Sequence, residues 1–117
     1  MQYLCLIYQD ESALQNRSKA DLDAVYAEYV DFTEDVKRAG RLVGSNRLQP
    51  ARAAATVRVR DGHVVATDGP FAETKEQLGG YYLIEARDLN DAIQTAARIP
   101  SARFGSVEVR PIWDARV

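Results

Sequence analysis

The residues of this sequence best able to do chemistry lie in the stretch VVATDGPFAETKEQLGGYYLIEA, residues 64–86. A lysine there lies between two glutamates, so it would stay protonated and could bind an anionic ligand. An aspartate that follows the first apolar run could act as an acid or base if it were desolvated, because burial raises a carboxyl pKa. Our candidates for a ligand-binding cleft are Asp68 (also the one catalytic candidate), Glu73, Lys75, Glu76 and Tyr82.

The same stretch also has a purely structural interpretation. Asp68 followed by Gly69-Pro70 readily forms a turn in which the carboxylate accepts backbone N–H groups. Pro70 suits the first position of a short helix over about 70–78, which Gly79-Gly80 would end. The charged side chains would then be solvated and have no ligand. The residues alone leave both interpretations open.

Length and composition restrict the class of protein. The 117 residues suffice for one domain, 1–117, and 46% hydrophobic with 27% charged residues is an ordinary globular balance. The net charge of −2, with both signs interspersed, gives no support for direct nucleic-acid binding. The apolar stretch YLCLIY is far shorter than the roughly 20 residues of a membrane span. The N-terminus lacks a signal-peptide pattern, so we expect a cytoplasmic protein without membrane contact.

The inventory of metal-binding side chains is small. Cys5 is the only cysteine and His63 the only histidine, so neither a disulfide nor a metal cluster is predicted. His63 follows a turn and is interpreted as exposed, although a catalytic base is the alternative. We therefore expect no metal and no cofactor.

Two strands stand out as central in a sheet. Residues 2–8 and 81–86 are apolar at odd and even positions alike, which is typical of strands covered on both faces. The pattern also predicts strands over 41–48 and 106–112, a loop over 49–54 and a helix over 88–100.

Local signals define two further elements. A helix is predicted over about 18–39, because Ser18 and Asp21 resemble a capping box and apolar residues recur at helical spacing. Residues 56–67 predict a β-hairpin with Asp61-Gly62 as a type I′ turn. Its register places Val57, Val59, Val64 and Ala66 on one face, and Arg58, Arg60, His63, Val65 and Thr67 on the other.

The order of elements predicts an α+β fold. Two β-α-β halves with an inserted β-hairpin indicate a ferredoxin-like sandwich, in which the first and third main strands are central. Two helices cover only one face of such a sheet, while the central strands are apolar on both. A second copy of the chain, packed sheet against sheet, is the simplest cover. We therefore expect a homodimer.

The quoted stretch also resembles a known family. TDGPFAETKEQLGGYYLIEA carries the signature of DGPF-domain proteins within the YCII-related group, and MQYLCLIYQDE and GSVEVRPIW resemble the two ends of that family. The resemblance covers essentially the whole chain. It implies a ferredoxin-like fold that forms a dimeric α+β barrel, and it implies no particular reaction. Some relatives carry the label of transcription-initiation proteins or are encoded beside sigma factors of bacteria.

The chain departs from one feature that the resemblance implies. Other YCII-related proteins have a proposed active pair, with a His near the start of the first helix and an Asp just before a Pro. Here residues 18–29 contain no His, and Ile99 precedes Pro100. Relatives also have a His near the position of Arg103. Acid–base chemistry of that kind is therefore in doubt for this chain.

Two functions from different classes fit these residues. The first is a homodimeric small-ligand-binding protein, with catalysis undecided, whose polar cleft includes the DGPF loop. The second is a non-enzymatic accessory or regulatory protein, linked to sigma-factor-dependent transcription, that binds a protein partner without contacting DNA.

Overall fold

The computed structural model describes residues 1–113 and contains a mixture of strands and helices. Its antiparallel strands and its helices form the mixed α+β fold that the sequence predicts. The elements are β1 (Gln2–Gln9), α1 (Glu11–Gln15), α2 (Lys19–Arg38), β2 (Leu42–Arg47), β3 (Ala55–Arg60), β4 (His63–Asp68), β5 (Gln77–Glu85), α3 (Leu89–Ala96) and β6 (Ser106–Pro111). Short 3₁₀ turns cover Ala51–Ala53 and Pro100–Arg103.

The main sheet has four strands in the order β2-β5-β1-β6, and all neighbours are antiparallel. Its two central strands are the two runs that are apolar on both faces, as predicted. The register pairs Cys5 with Tyr82 on one side and with Val109 on the other. An irregularity between Ile7 and Tyr8 shifts the β1–β5 pairing by one residue.

The core lies between this sheet and the helices. Alternate residues of β1 are buried on the helix side, and α2 contributes Phe32 and Val36. Side chains on the opposite side of β1 are only half-buried. The molecule measures 48 × 45 × 19 Å, so its thin dimension holds one sheet and one layer of helices. The core comprises Tyr3, Cys5, Ile7, Phe32, Val36, Tyr82, Ile84, Ala86, Ala92, Ala96 and Ile99.

Helix α2 begins and ends at the predicted signals. The Ser18 hydroxyl accepts the Asp21 N–H at 3.1 Å, which satisfies one of the free donors of the first turn. Gly40 follows the helix with a positive φ of 72°, as a glycine after a helix end often does. The first half of the helix contributes no buried residue, and Leu22 and Tyr26 on its apolar stripe are exposed.

The predicted hairpin forms, but it is a separate two-stranded sheet that we call the arm, residues 55–68. Its register pairs Val59 with Val64, and its turn residues Asp61 and Gly62 have φ values of 52° and 74°, which fit a type I′ turn. Every residue of β4 is exposed. The radius of gyration of 16.2 Å exceeds the about 13 Å of a compact chain of similar length, because the arm projects from the body.

The short helix predicted over 70–78 is wrong. Residues 69–76 have no helix or strand, and β5 already begins at Gln77. Gly79-Gly80 therefore lies inside a strand and does not end a helix. A Cβ on Gly80 would lie 2.9 Å from the backbone oxygen of Asn46 in β2, so close strand approach explains that glycine. Helix α1 was not predicted, because its five residues show no apolar periodicity.

Candidate functional site

The DGPF segment is a turn fixed to the base of the arm. Gly69 has a φ of 93°, which favours glycine, and its N–H donates to the Ala54 oxygen at 2.7 Å. The Thr56 hydroxyl donates to the Gly69 oxygen at 2.9 Å. These two bonds hold the chain where it leaves β4. Gly69 thus has a structural role in this turn, whereas among residues 1–113 no hydrogen bond joins the Asp68 carboxylate to a backbone N–H.

The predicted loop residues lie along the surface of this turn. Asp68, Glu73 and Lys75 are exposed, and Glu76 is half-buried. The Glu76 carboxylate accepts the Ser106 hydroxyl at 2.8 Å, which ties the loop to the start of β6. Among residues 1–113, no hydrogen bond or ion pair joins these four side chains to one another.

Lys75 lies close enough to the start of α1 for its charge to act weakly on Asp10. The Asp10 carboxylate begins α1 by accepting the N–H groups of Ser12 at 3.0 Å and Ala13 at 3.3 Å. Its pKa is lowered mainly by the Ser12 hydroxyl, then by the Ala13 N–H, and weakly by the positive charge of Lys75. The loop lysine therefore faces the end of β1 and the start of α1.

Amide and carboxylate side chains connect this end of the sheet. Glu11 donates its N–H to the Gln77 side-chain oxygen at 3.0 Å, and its own carboxylate accepts the Ala51 N–H at 2.9 Å. Gln77 also pairs with Gln9 in the β1–β5 register. The DGPF loop, α1 and the loop before the arm thus meet where β1 ends and β5 begins.

Tyr82 lies on the helix-covered side of β5, away from the exposed loop side chains. Its ring packs edge-to-face on Phe32, with centroids 5.1 Å apart, and its hydroxyl shares a 2.6 Å hydrogen bond with Thr33. Burial raises the pKa of Tyr82. Tyr82 is therefore protonated at neutral pH and is a hydrogen-bond donor or acceptor in the wall of the core.

A second group of hydroxyls extends the polar lining of this layer, and sequence reasoning missed it. The Ser101 hydroxyl donates to the Gln9 side-chain oxygen at 2.8 Å and lies 2.5 Å from the Tyr29 hydroxyl. Because a serine hydroxyl has one proton, Tyr29 donates to Ser101. We call Gln9, Tyr29 and Ser101 the hydroxyl relay. Burial raises the pKa of Tyr29, and the Ser101 hydrogen bonds and the charge of Arg47 oppose part of that rise.

The relay and the DGPF loop lie at the same end of the sheet, since Gln9 pairs with Gln77 and Gln77 directly follows Glu76. The available signal was weak: Tyr29 fitted the apolar stripe of α2, and Ser101 lay in a loop without a motif. Ile99, at the position where the proposed family Asp would lie, is 1% exposed and part of the core. The structure thus places no acid at that point.

Other classes of site find no support in the described part of the chain. No group of three His, Cys, Asp or Glu side chains among residues 1–113 could hold a metal ion. No helix in that range is long and apolar enough to cross a bilayer. Cys5 is fully buried, and burial raises the pKa of its thiol to about 11, so it is a poor nucleophile.

Comparison with known proteins agrees with this architecture. An uncharacterised protein of Rhizobium meliloti (strain 1021) is 43% identical over 121 residues, which is 96% of this chain and 92% of that protein. The fold is similar to that of 5-chloro-2-hydroxyhydroquinone dehydrochlorinase (TftG) from Burkholderia phenoliruptrix AC1100, solved in complex with 2,5-dihydroxybenzoquinone. The TM-score is 0.61 at 14% identity, over 99% of this chain and 97% of that one. The YCII-related domain family matches residues 1–116, and the chain therefore belongs to that family.

Proposed function

We propose that this protein is a homodimer that binds a small organic molecule at the end of the sheet where the DGPF loop meets the hydroxyl relay. The observation that carries the proposal is this juxtaposition of charged loop side chains with the half-buried Tyr29 hydroxyl and the buried Ser101 hydroxyl. The loop offers an ammonium and three carboxylates to a charged ligand, while tyrosine and serine offer neutral donors and acceptors. The proposed ligand-binding residues are Asp68, Glu73, Lys75, Glu76 and Tyr82, with Gln9, Tyr29 and Ser101 of the relay.

The hydroxyl groups suit an oxygen-rich ligand. Because burial raises the pKa values of Tyr29 and Tyr82, both stay neutral at physiological pH and can share protons with carbonyl or phenol oxygens. A protein of the same fold has been solved with a dihydroxybenzoquinone, which makes hydroxylated quinones and phenols the first ligands to test. Binding does not require the family's proposed His–Asp pair, which this chain lacks. Asp68 is the remaining candidate for an acid or base.

The homodimer is proposed from the open face of the main sheet. Leu4, Leu6 and Leu83 lie on the side of the central strands that no helix covers, and all three are only half-buried. Packing this face on a second copy would remove the leucines from water and build the dimeric α+β barrel. We expect Leu6→Glu to be monomeric by sedimentation, and Val30→Glu, at an exposed residue of α2, to remain dimeric. A monomeric wild-type chain at micromolar concentration would refute the homodimer.

Ligand binding is tested by thermal shift with 2,5-dihydroxybenzoquinone and related phenols. A ligand at about 100 times its Kd should stabilise the protein by about 2.7 kcal/mol. Lys75→Ala and Asp68→Asn should abolish that shift and leave the dimer intact, whereas Lys37→Ala at the end of α2 should keep it. Equal shifts in all variants would remove the loop from the site, and the absence of any shift across the panel would contradict a ligand of this class.

The exposed arm favours a second candidate function. Its valines lie in solvent, as expected of a surface that binds protein. An accessory protein linked to transcription would use such a surface without catalysis. It would co-purify with a protein partner from its own cells, and arm variants would lose the partner while keeping any ligand-induced thermal shift.

A further inference from the structure

The arm presents an apolar face that its own chain does not cover. Val57, Val59 and Val64 are 63%, 59% and 73% exposed, and all three share one face with Ala66. An isolated two-stranded hairpin is marginally stable in water, so a projecting hairpin with an apolar face gains most from packing on another element. The opposite face carries Arg58, Arg60 and His63, so only one side of the arm is suited to burial.

A groove of matching character lies at the β6 edge of the main sheet. β6 is the last strand of the sheet and pairs only with β1 among residues 1–113, so the backbone groups of its outer edge face outward. Leu89 and Ile93 on the outer flank of α3 are 46% and 45% exposed above that edge. The groove has a volume of about 470 Å³ and is lined by Leu89, Ile93, Ala96, Ala97, Ala102, Val107 and Val109.

The two surfaces fit in length and in the alternation of their side chains. Arm strands and β6 each have six residues, so one arm edge can pair with β6 as far as Pro111, which has no N–H to donate. Val107 and Val109 of β6 face the helix side, which is where the valine face of an added arm would lie beneath α3. The arginine face of the arm would then lie on the open side of the sheet, beside Glu108.

The regularity of its pairing favours this edge over the other edge of the sheet. β2 has a register shift between Leu42 and Gly44, so it offers an irregular edge to an added strand. β6 pairs with β1 without a shift, and on its open side the Glu108 carboxylate forms an ion pair with Arg110. The regular edge of β6 is therefore the better match for an added arm strand.

We propose that the arm of each copy adds to β6 of a second copy, with its valine face in the α3–β6 groove. The exchange is reciprocal, so the same contact occurs twice about a two-fold axis. It extends each four-stranded sheet by two strands from the partner and satisfies the outer backbone groups of β6. The inference rests on the proposed homodimer and adds the surface that holds it together, beyond the open face of the sheet.

The test uses charge substitutions on the arm and in the groove. Val64→Glu places a carboxylate on the valine face, and Val30→Glu, at an exposed residue of α2, is its control away from both proposed contact surfaces. Ile93→Glu blocks the groove, and Gln94→Glu is the control on the same helix. Because every homodimer contains two arm contacts, we expect the first member of each pair to raise the dimer Kd about 100-fold or more by sedimentation. The controls should change it less than about threefold.

Mixing the Val64→Glu and Ile93→Glu variants tests directly whether the arm of one copy binds the groove of another. A Val64→Glu chain has an unaltered groove, and an Ile93→Glu chain has an unaltered arm. In a mixed dimer these two surfaces meet, so one of the two arm contacts is restored. We expect heterodimers to form preferentially over either homodimer, as counted by native mass spectrometry. Circular dichroism should show that all single chains remain folded, since the substituted side chains are exposed.

The possible failures can be told apart. Dimers of Val64→Glu and Ile93→Glu with the wild-type Kd would overturn the arm exchange, and a monomeric Leu6→Glu in the same experiment would leave the proposed homodimer standing. A mixture without preferential heterodimers would also overturn it. A monomeric wild-type chain would instead refute the homodimer itself.

Discussion

Removing the Ser101 hydroxyl gives the most direct test of the hydroxyl relay. Ser101 is 0% exposed, and its Oγ lies 2.8 Å from the Gln9 side-chain oxygen and 2.5 Å from the Tyr29 hydroxyl. Each such hydrogen bond contributes about 1 kcal/mol net to the free energy of unfolding. Ser101→Ala removes both, so we expect a loss of about 2 kcal/mol. The loss in the free energy of unfolding is larger where no water reaches the Gln9 oxygen and the Tyr29 hydroxyl, because both then stay buried without that partner.

The coupling between the two hydroxyls separates a relay from two independent contacts. Tyr29→Phe removes one hydrogen bond and should cost about 1 kcal/mol. Once Ser101 is alanine, the Tyr29 hydroxyl has lost this partner, so adding Tyr29→Phe should cost little more. The double variant should therefore be about 1 kcal/mol more stable than the sum of the two single losses predicts.

The assay is urea unfolding at one protein concentration, since a dimer would make the midpoint depend on concentration. Tyr26→Phe is the matched control, because Tyr26 lies on the same helix and is 65% exposed. It should change the free energy of unfolding by no more than about 0.5 kcal/mol. Additive losses in the double variant, or a Ser101→Ala protein as stable as the control, would refute the relay.

Three further predictions concern packing and pH. Gly105→Ala should lower the free energy of unfolding by about 1–3 kcal/mol, because the new Cβ collides with the Tyr8 carbonyl oxygen. At Gly44 a new Cβ would have no atom within 4 Å, so Gly44→Ala should change stability little. Equal urea midpoints for the two variants would contradict this. Burial raises the pKa of the Cys5 thiol from 9.0 to about 11. The unfolded chain therefore loses the thiol proton at a lower pH than the folded chain, so the free energy of unfolding should fall as pH rises from 9 to 11. Cys5→Ala should reduce the slope of that fall. The pKa of the Asp91 carboxyl is lowered first by the Arg87 backbone N–H, then by the Arg87 side chain and by Arg41. The free energy of unfolding should therefore fall as the pH drops below the ordinary 3.8 of an aspartate and Asp91 takes up a proton. Asp91→Asn should make stability less dependent on pH in this acid range.

The parts of the fold that were predictable depend on local signals. Helix α2 was predictable because Ser18 and Gly40 mark its ends by backbone chemistry that needs no tertiary context. The arm register was predictable because Asp61-Gly62 permits the two positive φ values of its turn. The central strands were predictable because burial on two faces leaves apolar residues at both parities.

The parts that were missed depend on contacts between distant segments. The Pro70 region resembled a helix start, but Gln77 is drawn into the β5 ladder by pairing with Gln9, some 68 residues earlier. Ser101 became part of the candidate site only because the turn after α3 brings it to Tyr29, 72 residues away. Periodicity along the chain contains no information on either contact. Tyr82 was chosen for its hydroxyl, while its strand parity placed it toward the helices.

The projecting arm also bears on whether copies of this chain would form a closed dimer or an open assembly. A surface that complements a different surface of the same molecule can close into a pair only if both ends engage at once. If the loop before the arm, residues 48–54, set a different angle, each arm would reach a third molecule, and the chains would grow into an open fibre. In the proposed arm exchange, the geometry of this short connection therefore decides between a closed dimer and a polymer.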